Sequence, residues 1–486
     1  MKTTLFRIAL GAALATGFLT APPAAAQAAA PLAAIRWQPC PDEPSAECGT
    51  LAVPVSWAKP RGATLVLGLA RHRAADPARR IGSLFVDPGG PGGGGVEVTK
   101  GAALWVSPRV LARFDIVGMD PRGVRTSTPV RCHTDAFAPG FTLFPRTEAQ
   151  FRNMMAVNRA AGRSCLAATG ALLRHVDTVS VARDLDAVRA ALGERRISFL
   201  GFSYGTQIGA NYAQLFPGRV RALAVDSALE HALGERRRIA DETRTVEDSF
   251  NRFTAWCHTS ATCVLSGQNV ARLYDQLVVA ADRHPIPVAG AARPVTGEDI
   301  RTATQEYLLA KHVTVFSHAD WAALGGAIAA ARAGDASGFA MPPTDQPADP
   351  IFAALAIGCS DYPAEVHTYT GYQRLMRTVR RIAPHTQGAS QTWTLLRCIG
   401  WPVPAANPPH RLHVRGVPPV LIVNATHDAS TAYRWALSVS AQIRGSVVLT
   451  RRGDGHTSYF SSACARAATD RYLLEVRVPP PGQVCT

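Results

Sequence analysis

Short apolar runs alternate with segments of helical spacing through most of the chain. Each run is bounded by glycine, proline or polar residues; the runs are 64–70, 82–86, 114–119, 197–200, 220–225, 420–423 and 446–450. Continuous apolar runs of this length are typical of strands that are buried on both faces of a sheet. Such strands are joined by helices when they run parallel, so the alternation predicts an α/β protein with a mostly parallel sheet.

The alternation stops between about residues 229 and 410. Helical patterns follow one another here, at 236–256, 270–282, 298–310 and 319–331, with a proline-rich break at 341–350. The chain has 486 residues, which is more than one hydrophobic core usually organises. We therefore expect four parts: a signal peptide (1–28), the first part of the core (29–228), a helical cap or insertion (229–410) and the rest of the core (411–486).

The amino-terminal residues have the features of a targeting segment. Lys2 and Arg7 precede the apolar stretch 8–19, and small residues suitable for cleavage follow at 24–28. A membrane anchor is the alternative, but the stretch is shorter than the roughly 20 residues that span a bilayer. We expect signal removal, a secreted or periplasmic protein and no stable membrane insertion.

Cysteine usage also favours export. All ten cysteines follow the predicted signal, and none forms the C-x-x-C pattern of a zinc site; they are Cys40, Cys48, Cys132, Cys165, Cys257, Cys263, Cys359, Cys398, Cys464 and Cys485. We expect disulfides and no metal. The sequence does not choose among the pairings, although pairing neighbours in chain order would give five local cross-links.

The net charge of +15 raises the question of nucleic-acid binding. The basic residues are mostly scattered arginines with small clusters, such as 236–238 and 380–381, and no nucleic-acid motif lies beside them. A solvated basic surface explains this pattern better, and we expect no nucleic-acid partner.

The sequence Gly201-Phe202-Ser203-Tyr204-Gly205 lies between a predicted strand and a predicted helix. A serine on such a sharp turn needs small neighbours, and the turn exposes its hydroxyl above the sheet. The pattern also occurs by chance in ordinary turns, but its flanking elements favour Ser203 as a nucleophile.

A serine nucleophile needs a base and an acid that orients the base. His456 lies in a glycine-bounded loop after the last predicted strand, and Asp428 follows the strand before it, 28 residues earlier. The order Ser, Asp, His favours Asp428 as the acid. Asp226 and Asp454 are the rival acids.

The glycine-rich segment 89–95 follows the strand at 82–86. It lacks the G-K-[ST] ending of a phosphate-binding loop, and its proline removes a backbone amide. A tight loop here can instead direct a backbone N–H toward the serine. We expect the N–H groups of Gly90 and Tyr204 to form an oxyanion hole, and we expect no cofactor.

These motifs together resemble the secreted α/β-hydrolase peptidases related to proline iminopeptidases, most closely the actinobacterial tripeptidyl aminopeptidases with their TAP-like C-terminal region. The resemblance rests on 87–92, 115–123, the turn around Ser203, Asp428 and His456. It implies an α/β-hydrolase fold and an exported serine hydrolase that releases tripeptides from free amino termini through an acyl-enzyme. It also places Cys359 and Cys398 in the C-terminal region, where it implies a structural disulfide.

Two departures from the family pattern leave the substrate open: Gly94 stands where a serine is usual, and Asp226-Ser227 where Asp-Gly is usual. Binding a substrate ammonium needs carboxylates, and the candidates are Glu97 and Glu230, followed by Asp241, Glu242 and Glu247. A carboxylesterase or lipase would use the same triad with an apolar pocket. A catalytically silent binding protein would lack a triad member, and none is missing. The oligomeric state stays open.

Overall fold

The computed structural model describes residues 34–133, 142–291, 293–314, 319–340, 350–389 and 396–486. The predicted signal peptide and most of the proline-rich break lie outside these residues. Within them, no helix is both long and apolar enough to cross a membrane.

The described strands form one ten-stranded sheet in the order β1-β2-β3-β5-β4-β6-β7-β8-β9-β10. Their bounds are β1 Gln38–Pro39, β2 Glu47–Pro54, β3 Thr64–His72, β4 Gly82–Asp87, β5 Phe114–Met119, β6 Ile197–Phe202, β7 Val220–Asp226, β8 Leu421–His427, β9 Val447–Asp454 and β10 Val484–Cys485. The pairs from β5 to β10 are parallel, and the three pairs at the other edge are antiparallel. The predicted α/β fold with a mostly parallel sheet is confirmed.

Helices occupy the connections between strands. In the described residues they are Gly95–Lys100, Ala102–Trp105, Pro108–Leu111, Glu148–Thr169, Thr178–Ala191, Gly205–Leu215, Glu235–Thr259, Val270–Arg283, Gly297–Leu308, Trp321–Arg332, Pro350–Asp361, Tyr369–Ile382, Tyr433–Ser440, Ser458–Ser461 and Ala463–Glu475. Six of them lie between β7 and β8, where the sequence predicts the insertion. Four of these six agree with the predicted helices. Pro350–Asp361 was not predicted because it is apolar and buried around most of its circumference, and so has no helical period.

The hydrophobic core follows this division. Apolar side chains fill both faces of the sheet in two large clusters. A further cluster is formed by the first four helices of the insertion and by Ala429, which follows the predicted acid Asp428. The insertion therefore has apolar packing of its own and contacts the sheet at its carboxyl edge.

Five disulfides join cysteines that are neighbours in chain order. The pairs are Cys40–Cys48, Cys132–Cys165, Cys257–Cys263, Cys359–Cys398 and Cys464–Cys485. The local pairing and the disulfide implied for Cys359 and Cys398 are thus confirmed.

A buried ion pair anchors the segment that follows β5. Arg122 and Asp184 are both fully buried, and two guanidinium nitrogens of Arg122 donate to the two Asp184 carboxylate oxygens at 2.5 and 2.6 Å. Arg122 also donates to the carbonyl of Val55 at 2.7 Å, and the Trp57 indole donates to Asp184 at 3.0 Å. This pair therefore joins the helix Thr178–Ala191 to the segment after β5 and to the residues that follow β2.

Replacing Arg122 by methionine is expected to lower the free energy of unfolding by about 3–5 kcal/mol, because Asp184 would stay buried without a counter-charge. Denaturant unfolding with intact disulfides measures the change. Arg152→Met is the matched control, since Arg152 forms an exposed pair with Glu148 that contributes less than about 1 kcal/mol. Equal stability of both variants would contradict the role given to the buried pair.

Candidate active site

Four adjacent parallel strands end at the proposed site. β6 pairs with β7, β7 with β8 and β8 with β9, so that their carboxyl ends lie at one edge of the sheet. Ser203, Ser227 and Asp428 directly follow β6, β7 and β8, and His456 lies two residues after β9. Neighbouring strands are about 4.8 Å apart, so this topology gathers the predicted residues.

Ser203 occupies a strained turn. Its φ of 52° lies in the left-handed region, which is costly for a residue with a side chain. The Ser203 N–H donates to the Asp226 carbonyl at 3.0 Å, and the helix Gly205–Leu215 begins two residues later. A Cβ on Gly205 would lie 2.7 Å from the Asp87 carbonyl oxygen, so only glycine fits there. The turn thus has the geometry that the sequence predicts.

Asp428 and His456 form a direct pair. Nδ1 of His456 lies 2.9 Å from Oδ1 and 3.0 Å from Oδ2 of Asp428. A carboxylate at Nδ1 holds the imidazole proton there and leaves Nε2 able to accept a proton. Of the three candidate acids, Asp428 is the one that contacts the imidazole through a hydrogen bond.

The two rival acids have other partners. The Asp226 carboxylate accepts hydrogen bonds from the N–H groups of Ser458 at 3.0 Å and Tyr459 at 2.7 Å, and so caps the short helix after His456. Burial raises the pKa of Asp226 to about 6. Asp454 instead pairs with Arg252 and Lys311.

Asp428 is prepared to stay ionised although it is buried. Burial raises the pKa of its carboxyl, but His456, the Thr431 N–H at 2.9 Å and the Ser227 hydroxyl at 2.7 Å lower this pKa by more. The pKa of Asp428 therefore lies below its ordinary value. The N–H of Ser430 also donates to Oδ1, at 2.8 Å. These donors hold a charged, oriented carboxylate beside the imidazole.

The pKa of His456 lies above its ordinary value of 6.5. Burial lowers this pKa, but Asp428 and, more weakly, Asp226 and Glu306 raise it by more. The protonated imidazolium is therefore stabilised, which favours His456 as a base that accepts a proton during a reaction.

The glycine loop packs against the serine turn. A Cβ on Gly89 would lie 2.5 Å from the Phe202 carbonyl oxygen and 2.8 Å from the Tyr204 nitrogen, so the contact requires glycine. The Gly89 N–H donates to Asp87 at 2.9 Å. By contrast, no group in the described part of the chain accepts a hydrogen bond from the N–H of Gly90 or of Tyr204. Two unused backbone donors thus lie in the loop and the turn.

The Tyr204 side chain is fixed by a buried carboxylate of the insertion that the sequence did not reveal. Asp361, at the end of the helix Pro350–Asp361, accepts hydrogen bonds from the hydroxyls of Tyr204 and Thr178. It also accepts from Gln207 Nε2 at 3.1 Å and from Asn407 Nδ2 at 2.9 Å. The insertion therefore holds the residue whose N–H is the predicted oxyanion donor.

The predicted ammonium-binding carboxylates have other partners. The Glu97 side chain is 69% exposed and pairs with Lys100 at 2.8 Å. Glu230 is buried and accepts from Gln442 Nε2 at 2.7 Å and from the Ala232 N–H at 2.9 Å. Both carboxylates thus already have partners within the described residues. The three lower-ranked candidates also have partners: Asp241 with Trp435, Glu242 with Arg238, and Glu247 with Thr386.

Glu306 is a different carboxylate that the sequence analysis did not single out. It lies on the helix Gly297–Leu308, which contacts the loops that carry His456 and Asp428. Leu309, the residue after this helix, accepts a hydrogen bond from the His456 N–H at 2.7 Å, and Gln305 donates to the Ala429 carbonyl at 3.2 Å. Glu306 keeps access to solvent, and it forms no hydrogen bond or ion pair with any residue in the described ranges. The crowding of protein atoms around it raises the pKa of its carboxyl, while His456 lowers it.

The sheet and this arrangement of side chains define a serine hydrolase of the α/β-hydrolase fold. Residues 383–485 match the protein family described as "TAP-like protein". The serine protease Hip1 of Mycobacterium tuberculosis is 32% identical over 485 residues, which cover 93% of this chain and 91% of Hip1. The tripeptidyl aminopeptidase of Streptomyces lividans is 30% identical over 95% of this chain and 88% of its own. Carboxylesterase B of M. tuberculosis is 30% identical over 91% and 86%.

The chain therefore belongs to the TAP-like family of serine hydrolases, and the predicted resemblance is confirmed. The matched region begins at residue 383, before the boundary expected at 411. It thus includes the end of the helical insertion as well as β8, β9 and β10.

Proposed function

We propose that the chain is an exported serine aminopeptidase that releases short peptides, tripeptides among them, from substrates with a free amino terminus. Ser203 is the nucleophile, His456 the general base and acid, and Asp428 the residue that orients His456. The N–H groups of Gly90 and Tyr204 bind the oxyanion. The pairing of His456 with Asp428 at 2.9 Å and the left-handed turn at Ser203 support these roles.

The reaction would proceed in two steps. Oγ of Ser203 attacks the peptide carbonyl carbon while Nε2 of His456 takes its proton, and the carbonyl oxygen becomes an oxyanion. The C–N bond then breaks, and the leaving amine takes the proton from His456. Water then attacks the ester carbonyl while His456 takes its proton; the ester C–O bond breaks, His456 returns this proton to Oγ of Ser203, and the amino-terminal peptide leaves as a carboxylic acid.

The oxyanion donors are suited to their role because they carry no other hydrogen bond in the described residues. A backbone N–H that is fixed before the reaction stabilises the new charge without reorganisation. The contacts of Gly89 with Asp87, and of Tyr204 with Asp361, hold the two donors in place.

Glu306 is the observation that favours an aminopeptidase. This accessible carboxylate has no hydrogen-bond or ion-pair partner among the described residues, and it lies on a helix that contacts the loops of both His456 and Asp428. It is therefore suited to pair with a substrate ammonium. An esterase that acts on uncharged acyl groups has no use for such a charge. This helix lies beside the His456 loop, where it could limit the length of peptide that the site accepts.

The five disulfides support export, because disulfides persist in oxidising compartments. The predicted signal peptide, residues 1–28, would direct this export and then be removed.

The test compares a tripeptide amide with its amino-acetylated twin, together with matched one-residue and two-residue amides. We expect acetylation of the tripeptide to lower kcat/KM about 100-fold, which is the scale for losing one desolvated charge partner. Glu306→Gln should lower cleavage of the free-amine substrate and leave the acetylated twin unaffected. Glu97→Gln is the matched control, since Glu97 pairs with Lys100 on the surface. Equal cleavage of both twins by the wild-type enzyme would contradict the aminopeptidase proposal.

A carboxylesterase is the second candidate, favoured by the similarity to carboxylesterase B. A short-chain ester of the same leaving group distinguishes the two. Cleavage of this ester without cleavage of any peptide amide would support Ser203 as the nucleophile but would identify the enzyme as an esterase.

A further inference from the structure

Ser227 is a buried residue in an unfavourable backbone conformation beside the proposed triad. Its φ is 65°, in the left-handed region, where a glycine costs nothing and a serine is strained. Ser203, with φ 52°, and Thr457, with φ 62°, have the same conformation. The three residues follow β6, β7 and the histidine, and strain that collects at one place in this way indicates a functional constraint.

The hydroxyl of Ser227 bridges the two loops that carry the acid and the histidine. Oγ donates to Oδ2 of Asp428 at 2.7 Å and accepts a hydrogen bond from the Thr457 N–H at 2.9 Å. Thr457 is the residue after His456. The backbone N–H of Ser227 donates to the Val423 carbonyl in β8 at 2.8 Å, so the bridge itself is attached to the sheet.

We infer that Ser227 is a positioning residue for the Asp428–His456 pair, and that its hydroxyl sets the position of the Asp428 carboxylate relative to the imidazole. The inference rests on the proposed catalytic roles of Ser203, Asp428 and His456. A glycine at this position would fit the backbone better, so the hydroxyl is what the strained serine contributes.

The geometry explains why one hydroxyl matters. Oδ2 of Asp428 lies within hydrogen-bond distance of His456 Nδ1, the Thr431 hydroxyl and the Ser227 hydroxyl. Only the Ser227 hydroxyl also holds the backbone beside His456. Without it, the carboxylate and the histidine loop lose the atom that they share, and the angle between carboxylate and imidazole becomes free to vary.

Ser227→Gly is the main test, because it removes the hydroxyl and relieves the strain. We expect kcat to fall about tenfold to a hundredfold, the scale of one hydrogen bond to a charged group, with little change in KM or in the unfolding temperature. The rate at which a fluorophosphonate labels Ser203 should fall by the same factor, and this rate does not depend on whether the enzyme prefers peptides or esters.

The pH profile gives a readout that a purely structural role would not change. The groups that face His456 are Asp428, Asp226 and Glu306, and burial opposes their effect on its pKa. Arg451 faces Asp428 and Asp226. A weaker contact with Asp428 lets burial prevail, so the acid limb of the labelling rate should move to lower pH in Ser227→Gly.

Ser227→Ala removes the same hydroxyl and keeps the strain, so it should show the same loss of rate with a lower unfolding temperature. Val476→Gly relieves a left-handed residue at the end of the helix Ala463–Glu475 and should leave labelling unchanged. If Ser227→Gly keeps the wild-type rate and pH profile, Ser227 has no positioning role. If the wild-type enzyme itself is not labelled at Ser203, the proposed function fails instead.

Discussion

Replacing Ser203 by alanine is expected to lower kcat about 10⁴- to 10⁶-fold on every substrate that the enzyme cleaves. In the proposed mechanism the hydroxyl oxygen forms the acyl-enzyme, and no water placed by the remaining groups replaces it at a comparable rate. The change removes one oxygen at the end of β6 and leaves the left-handed backbone, so the unfolding temperature should stay within a few degrees of the wild type. Purified protein and a chromogenic tripeptide amide measure both effects.

The matched control is Ser337→Ala, an exposed serine in the insertion, which should retain full activity. Fluorophosphonate labelling provides an independent check, since Ser203→Ala should take up no label. Activity or labelling that persists in Ser203→Ala would show that another residue is the nucleophile.

Asp428→Asn should lower kcat by about 10⁴-fold, the scale seen when a triad carboxylate becomes an amide. The amide presents an N–H toward Nδ1 of His456, which favours the wrong tautomer and leaves the imidazolium without its counter-charge. The proposed mechanism needs neutral His456 as its base, so kcat/KM of the wild type should rise with pH through the raised pKa of His456. Because burial lowers this pKa once Asp428 is neutral, the acid limb of the residual activity should move to lower pH.

Asp226→Asn tests whether Asp226, and not Asp428, is the acid of the triad. Its amide oxygen can still accept one of the two N–H groups at the helix that begins at Ser458, so we expect a loss of about tenfold or less. A larger loss in Asp226→Asn than in Asp428→Asn would make Asp226 the acid.

The parts of this enzyme that follow local rules are readable from its sequence. The buried strands β4, β5, β6 and β7 appear as short apolar runs, and the turn at Ser203 has its own spacing of glycines. Asp428 and His456 are found because a parallel sheet places the residues after its strands at one edge. The short edge strands β1 and β10 have only two residues each and give no pattern.

Contacts between the insertion and the core are not readable in this way. Glu306 lies on a helix that the sequence predicts only as a helix, and Asp361 ends a helix that the sequence does not predict. The contacts of both residues depend on how these helices fold back onto the sheet. The partner of Glu230 is not readable either, since this residue lies near the site in sequence but is bound by Gln442, which is 212 residues away. In the sequence Ser227 is a departure from the family pattern, but only the folded structure shows that its hydroxyl joins two loops.

The order of the disulfides has a consequence for how the oxidised chain is assembled. Each cysteine pairs with the next one along the chain, and the two partners are between 6 and 39 residues apart. A polypeptide that emerges from a membrane channel amino terminus first exposes its thiols in this same order. Both members of each pair are then available before the following pair appears, and oxidation in the order of emergence yields the native set. If the chain is exported as proposed, its disulfides therefore need little correction of mispaired cysteines.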